Sequence, residues 1–267
     1  MKDVPLNVDL LRQRLSRRHF GVPLFYSERV ESTNDLALEM LDRGFPEGTL
    51  VLAEEQTQGR GRRGRTWVSP PRRGIYASLL LRPSLDVSRL PLVAFAASLG
   101  IARALEEEMG RRVEIKWPND LLVGGKKVAG LLAEARSFEE RPALVVGLGL
   151  NVHQSPEDFP EDFRDQVSSL ALATGRPWDR TLLLPLLLER WEEEHVRLVA
   201  TGGKETLSRW QEYSAIRDGA TVRADLGGEI LQGVFRGLTP SGQMRLEMEG
   251  GSFRRVAFGE VRQVRGG

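Results

Sequence analysis

A chain of 267 residues is long enough for one large domain plus a small one, and 40% apolar with 28% charged residues fits a globular protein. The formal net charge of +1 excludes bulk attraction to nucleic acid or membrane, and the absence of cysteine excludes disulfides, thiol nucleophiles and thiolate-bound metal. No signal core precedes the first helix and no apolar run approaches membrane-spanning length, so a cytoplasmic location is expected.

Taken in order, residues 8–19 read as a short amphipathic helix and 23–30 as a strand. Ser32-Thr-Asn-Asp35 resembles a capping box opening a helix over 36–41 that stops at Gly44. A helix N-terminus points free N–H groups outward, so Thr33 and Asn34 are placed to face a polar ligand. A strand over 49–53 leads into a basic glycine loop, a second strand spans 74–81, and 90–109 is a core helix closed by Gly110. Strands follow over 113–117 and 120–123. Gly124-Gly125 then turns the chain into two adjacent buried strands, 127–135 and 143–152. Residues 180–201 and 204–213 are helical, with Pro185 expected in a first turn. From Asp218 short strand-like runs (221–224, 229–235, 244–248, 253–258) alternate with glycine turns, the pattern of a small barrel.

Two stretches carry chemistry. The first runs from Gln56 to Trp67 and holds Arg60, Arg62, Arg63 and Arg65 between Gly59, Gly61 and Gly64, with no acidic residue. Unpaired guanidinium groups are too costly to bury, and glycines oppose a helix, so this is a mobile loop suited to an anion. It satisfies G-x-G-x-x-G and approaches a P-loop, but Thr66-Trp-Val-Ser-Pro-Pro71 opens no regular helix and Arg65 stands where a P-loop has lysine. The second stretch is Lys116-Trp-Pro-Asn-Asp120 followed by Lys126-Lys-Val-Ala-Gly130. Only five of 38 cationic residues are lysines, and three of them fall here. The hairpin turn brings a cation on one strand near a carboxylate on its neighbour.

Together these stretches resemble the biotin protein ligases. The resemblance rests on Ser32-Thr-Asn34, Gln56, Gly59-Arg-Gly-Arg-Arg-Gly64, Trp67, Lys116-Trp-Pro-Asn-Asp120, Lys127-Val-Ala-Gly130 and Gly147-Leu-Gly-Leu-Asn151, and spans roughly residues 24–264. It implies an α+β fold: a catalytic domain related to class II aminoacyl-tRNA synthetases over 1–216, a mixed sheet with helices, then an SH3-like barrel over 217–267. Only 31 residues precede Ser32, too few for the winged helix of the bifunctional members, so no DNA partner is expected, and no membrane partner.

The implied reaction uses biotin and ATP with Mg2+. It passes through biotinyl-5′-AMP to a lysine of a biotin carboxyl carrier protein, the acetyl-CoA carboxylase subunit or that of another biotin-dependent carboxylase. By resemblance Lys127, Asp120 and Arg62 are catalytic. Ser32, Thr33, Asn34, Gln56, Gly59, Arg60, Gly61, Arg62, Lys127 and Gly130 hold biotin. Arg60, Arg62, Trp67, Lys127 and Asn151 hold ATP or the adenylate. The loop is expected to be poorly ordered without ligand and to close over the adenylate. A metal site is not expected, since His19, His153 and His195 lack ligand spacing. A homodimer through a sheet edge is compatible with the resemblance, though the edge is not identifiable. Two other readings stay open at this level: a lipoate or octanoyl ligase, and an RNA-binding protein using the arginine-glycine loop.

Overall fold

A computed structural model describes residues 4–136 and 142–264. Seven strands form one sheet in the order β1-β2-β3-β7-β6-β5-β4. They are β1 (Leu24–Val30), β2 (Leu50–Gln56), β3 (Gly74–Leu81), β4 (Glu114–Lys116), β5 (Asp120–Val123), β6 (Lys126–Arg136) and β7 (Ala143–Asn151). Among the described strands of this sheet only the β1–β2 pair is parallel; the helix between them supplies the crossover that parallel strands require. The central strands β3 and β7 are almost wholly apolar because both faces of the sheet are covered there.

Helix α2 (Thr33–Asp42) covers one face, packing Ala37, Leu38 and Leu41 on Val51, Leu80 and Val145. It begins three residues earlier than the sequence pattern implies. Ser32 is the cap, its hydroxyl accepting from the Asp35 amide at 3.3 Å, so Thr33 and Asn34 already belong to the first turn.

On the other face lie α3 (Pro91–Met109), α5 (Arg180–Thr201) and α6 (Lys204–Tyr213), with α1 (Val8–Leu15) against α5. The segment Val87–Met109 is, by length and apolar character, able to cross a membrane, contrary to the sequence expectation; 67% of its most apolar window is buried inside the protein. A Cβ on Gly100 would lie 2.5 Å from the Trp191 Cα, so only glycine lets α3 and α5 approach this closely. Pro185 sits inside α5, beyond its first turn, a further departure from the sequence reading. Arg180 and Glu54 form a buried ion pair at 2.6 Å, both side chains 3% exposed. Arg180 also donates to the carbonyls of Gly74 and Val4, and Glu54 accepts from the Leu6 amide, so these buried charges are compensated.

The last strands, β8 (Thr221–Asp225), β9 (Ile230–Leu238), β10 (Met244–Glu247), β11 (Phe253–Val256) and β12 (Glu260–Gln263), form a separate antiparallel sheet ordered β11-β10-β9-β8-β12. The run 253–258 is shorter than expected, and β12 lacks a turn signal long enough to announce it. The short helix α4 (Leu170–Thr174) also carried no periodic signal.

Candidate functional site

The site is a gap in the cover of the large sheet. Along β7, Leu144, Val146, Leu148 and Leu150 point into the main core. On the opposite face Ala143 and Val145 lie under α2. The next residues on that face are Gly147, Gly149 and Asn151, and with Gly130 on β6 they floor a cavity of about 760 Å³. Side chains from elsewhere occupy the space these glycines leave. A Cβ on Gly147 would lie 2.2 Å from Asn34 Oδ1, and one on Gly149 would lie 2.4 Å from Trp67 Cε2. A Cβ on Gly130 would press at 3.1 Å on both Lys127 Nζ and the Trp67 ring.

The N-terminal turn of α2 forms one wall. The Gln56 carboxamide oxygen accepts from the Thr33 amide at 2.9 Å and from its hydroxyl at 3.0 Å. Its nitrogen donates to Ser69 at 2.9 Å. Ser78 donates to Thr33 and Asn34, and Asn34 donates to Glu134 at 2.7 Å. Ser32, Thr33 and Asn34 are all buried, which is unusual for polar residues and is explained by this network.

The arginine loop forms the roof. It is a hairpin bridged at Gln56–Ser69 and Arg60–Thr66, with Gly61 and Trp67 amides donating to the carbonyls of Arg65 and Gly59. The tip is a single 3-10 turn, Arg62–Gly64, where Arg63 adopts a left-handed φ of 59°. Carboxylates from distant strands and helices meet two of its four arginines. Arg60 lies 2.5 Å from Asp35 and 2.8 Å from Glu134, and Arg65 pairs with Glu260 on β12. Arg62 donates to Asn119 at 3.1 Å and Arg63 to the Asp225 carbonyl at 3.2 Å. All four guanidiniums are thus engaged by the protein, which argues against the RNA-binding reading. Gly59 is outside the cavity wall; its carbonyl closes the hairpin against Trp67.

The third wall is the β4–β5–β6 hairpin pair. Lys127 Nζ lies 2.7 Å from Asp120 Oδ1 and 5.1 Å from the Trp67 ring centre. The backbone of Lys127 is fixed as well: its amide donates to Gln166 O at 2.8 Å and its carbonyl accepts from Ser168 at 2.8 Å. Asn151 donates to Ser168 O at 3.0 Å and accepts from Gln154. Burial pushes the Arg62 guanidinium below its usual range despite Asp120. It does the same to the Lys116 ammonium despite Asp120 and Glu260. Burial alone would raise Glu260, yet hydrogen bonds from Arg65 and Arg262 hold its carboxyl at about 2. The buried Trp67 Nε1 has no hydrogen-bond partner among the described residues, which leaves an unsatisfied donor in the cavity wall.

Twelve of the thirteen residues singled out from sequence therefore line one cavity, Gly59 being the exception. Sequence reasoning did not select Lys116, Asn119, Glu134, Glu260 or the segment 159–167, which also line or brace it. Lys116 and Asn119 lay within the motif itself. Glu134 was detectable as the residue two and four positions beyond Leu132 and Gly130 on the same strand face. Glu260 and 159–167 carry no periodic signal.

Residues 26–151 match the model of the biotin/lipoate A/B protein ligase family. The chain is 35% identical to the biotin--[acetyl-CoA-carboxylase] ligase of Paracoccus denitrificans, over 82% of this chain and 91% of that protein. It is 34% identical to the bifunctional ligase/repressor BirA of Bacillus subtilis, over 90% of this chain and 74% of BirA. The solved biotin protein ligase from Aquifex aeolicus in complex with biotin and ATP superimposes with a TM-score of 0.77 at 30% identity, covering 90% of this chain and 98% of that one. With this fold and these motifs gathered at one cavity, the chain belongs to the biotin/lipoate A/B protein ligase family, among its biotin protein ligases.

Proposed function

We propose that this chain activates biotin with ATP and transfers it to a lysine of a biotin carboxyl carrier protein. In the first step a biotin carboxylate oxygen attacks the α-phosphorus of MgATP. The bond to the bridging oxygen breaks, and pyrophosphate leaves with magnesium, which belongs to the nucleotide substrate. Two anions must approach one another, and Lys127 with Arg62 and Arg60 offsets their repulsion. A charge-assisted hydrogen bond contributes about 1.5–3 kcal/mol, more where water is excluded. In the second step the neutral amine of the acceptor lysine attacks the acyl carbon and AMP leaves through cleavage of the acyl–oxygen bond. Asp120, beside Lys127, orients that amine or takes its proton.

The observation that carries this reading is the convergence of Lys127, Asp120, Arg60 and Arg62 on one cavity floored by glycines. Ser32, Thr33, Asn34, Gln56, Gly61 and Gly130 serve the biotin end; Trp67, whose indole N–H needs an acceptor, and Asn151 serve the adenylate. Gly59 contributes by closing the hairpin. The division into a synthetase-like catalytic unit over 1–216 and an SH3-like unit over 217–267 accounts for the second sheet. The five antiparallel strands are consistent with that barrel, and Arg65–Glu260 and the Trp117 indole to Gly242 O at 3.0 Å fasten the two units. A cytoplasmic site of action, where carboxylases and ATP are found, and action without DNA binding complete the reading.

Transfer of labelled biotin to a purified carrier domain tests it, with lipoate as a parallel acid. We expect incorporation that requires ATP and is specific to biotin; ATP-independent labelling, or transfer of lipoate in its place, overturns the reading.

A further inference from the structure

A second groove, of about 660 Å³, lies where the start of α3 meets the C-terminal sheet. Its lining includes Arg89, Arg245 and Arg255, the hydroxyls of Ser88, Thr239 and Ser241, and no carboxylate. Arg245 and Arg255 are direct cross-strand partners on β10 and β11, both exposed, and neither has an acidic partner among the described residues. Like charges facing each other on one sheet face are destabilising unless a counter-ion lies between them. Arg89 meets only the exposed Asp86, at 3.9 Å, and the Gly202 carbonyl.

We propose that this groove is a binding site for a compact phosphate-bearing anion. Arginine forks and hydroxyl donors around one cavity match the several acceptor oxygens of a phosphate group. The surrounding arginines favour a compact ligand over a long polymer, because they are already neutralised: Arg254 pairs with Glu229 at 3.0 Å and Arg236 with Glu247 at 2.7 Å. The unmatched positive charge is therefore local, not a stripe. Phe253, 53% exposed beneath the Arg245 guanidinium at 5.2 Å, bounds the groove on its outer side.

The groove is also wired to the catalytic cavity. Thr239 and Ser241 belong to the β9–β10 turn, whose Gly242 carbonyl accepts from the buried Trp117 indole at 3.0 Å. Trp117 lies between Lys116 and Asp120 in the wall of the first cavity. An anion that holds this turn holds that wall, so the site is placed to act as an effector site.

Inorganic tripolyphosphate is the probe, titrated calorimetrically at fixed ionic strength into the Lys127→Ala protein with and without Arg245→Ala/Arg255→Ala. We expect one binding event to weaken at least tenfold when the two groove arginines are removed, and biotin transfer by the Arg245→Ala/Arg255→Ala protein, assayed with ATP and no added tripolyphosphate, to match that of the parent. Arg255→Glu supplies its own counter-ion to Arg245. It should melt about 1–3 °C higher in phosphate-free buffer and lose the stabilisation that tripolyphosphate gives the parent. Equal tripolyphosphate binding with and without the groove arginines overturns the proposal. Groove-dependent binding of an oligouridylate in preference to tripolyphosphate overturns it too, since the site then serves a polymer.

Discussion

Lys127 on β6 and Asp120 on β5 form an ion pair at 2.7 Å across two strands joined by a glycine turn. Both side chains keep about a quarter of their surface exposed, so the pair adds little to stability. The register places Gly130 opposite Asp120, and the missing side chain there gives the lysine its room.

Lys127→Ala should therefore abolish biotin-dependent exchange of pyrophosphate into ATP, by about 100-fold or more, while the melting temperature shifts by no more than a few degrees. Lys127→Arg should not restore the rate, because a fork cannot occupy the space of a single ammonium beside Trp67 and Gly130. Near-normal exchange by either variant would remove the lysine from the chemistry.

On the proposed reading, the two floor glycines serve different substrates. In Gly149→Ala the new methyl would strike the Trp67 ring, and in Gly147→Ala it would strike the Asn34 carboxamide. Steady-state kinetics should show KM for ATP rising about 10- to 100-fold in the first and KM for biotin in the second. An identical pattern in both variants contradicts the assignment of ends.

Glu260 gives a pH signature. Its carboxyl is held at about 2 against an ordinary value of 4.5, so its contribution is complete above pH 4.5 and disappears as pH falls toward 2. Glu260→Gln lacks the contribution throughout. The melting temperature difference between wild type and variant should be constant above pH 4.5 and shrink toward zero below it; a difference that persists at pH 2 shows that the loss is packing alone.

The arginine hairpin is clamped at its far end by Arg65–Glu260 and at its near end by Arg60 with Asp35 and Glu134. Limited trypsin digestion should cut between Arg60 and Arg65 faster in Arg65→Ala than in wild type, and biotin plus ATP should slow the cut in both. Cleavage indifferent to ligand means that the roof does not close over the adenylate.

Much was legible in the chain because local chemistry dictated it. Alternation and glycine turns placed β3, β5, β6 and β7 within a residue or two, and α5 and α6 at their observed bounds. The start of α2 was misplaced because a cap and its first turn share the same polar residues, and Pro185 because a helix packed on both sides tolerates a proline that an isolated one does not. The apolar helix α3 shows the converse: composition alone cannot distinguish a membrane span from a helix buried between a sheet and a neighbour.

By itself the sequence marked out most of the groups that gather at one cavity, since lysine, arginine and glycine recur there at short fixed spacing in two motifs. The tertiary structure alone decided what those groups lean on. Asp35, Glu134 and Glu260 pair with two arginines of a loop that contains no acid of its own, from positions 25, 74 and 195 residues away from their partners. Such pairings follow from how sheets and helices stack, and no local pattern encodes them, because a charge needs only proximity in space to find its counter-ion.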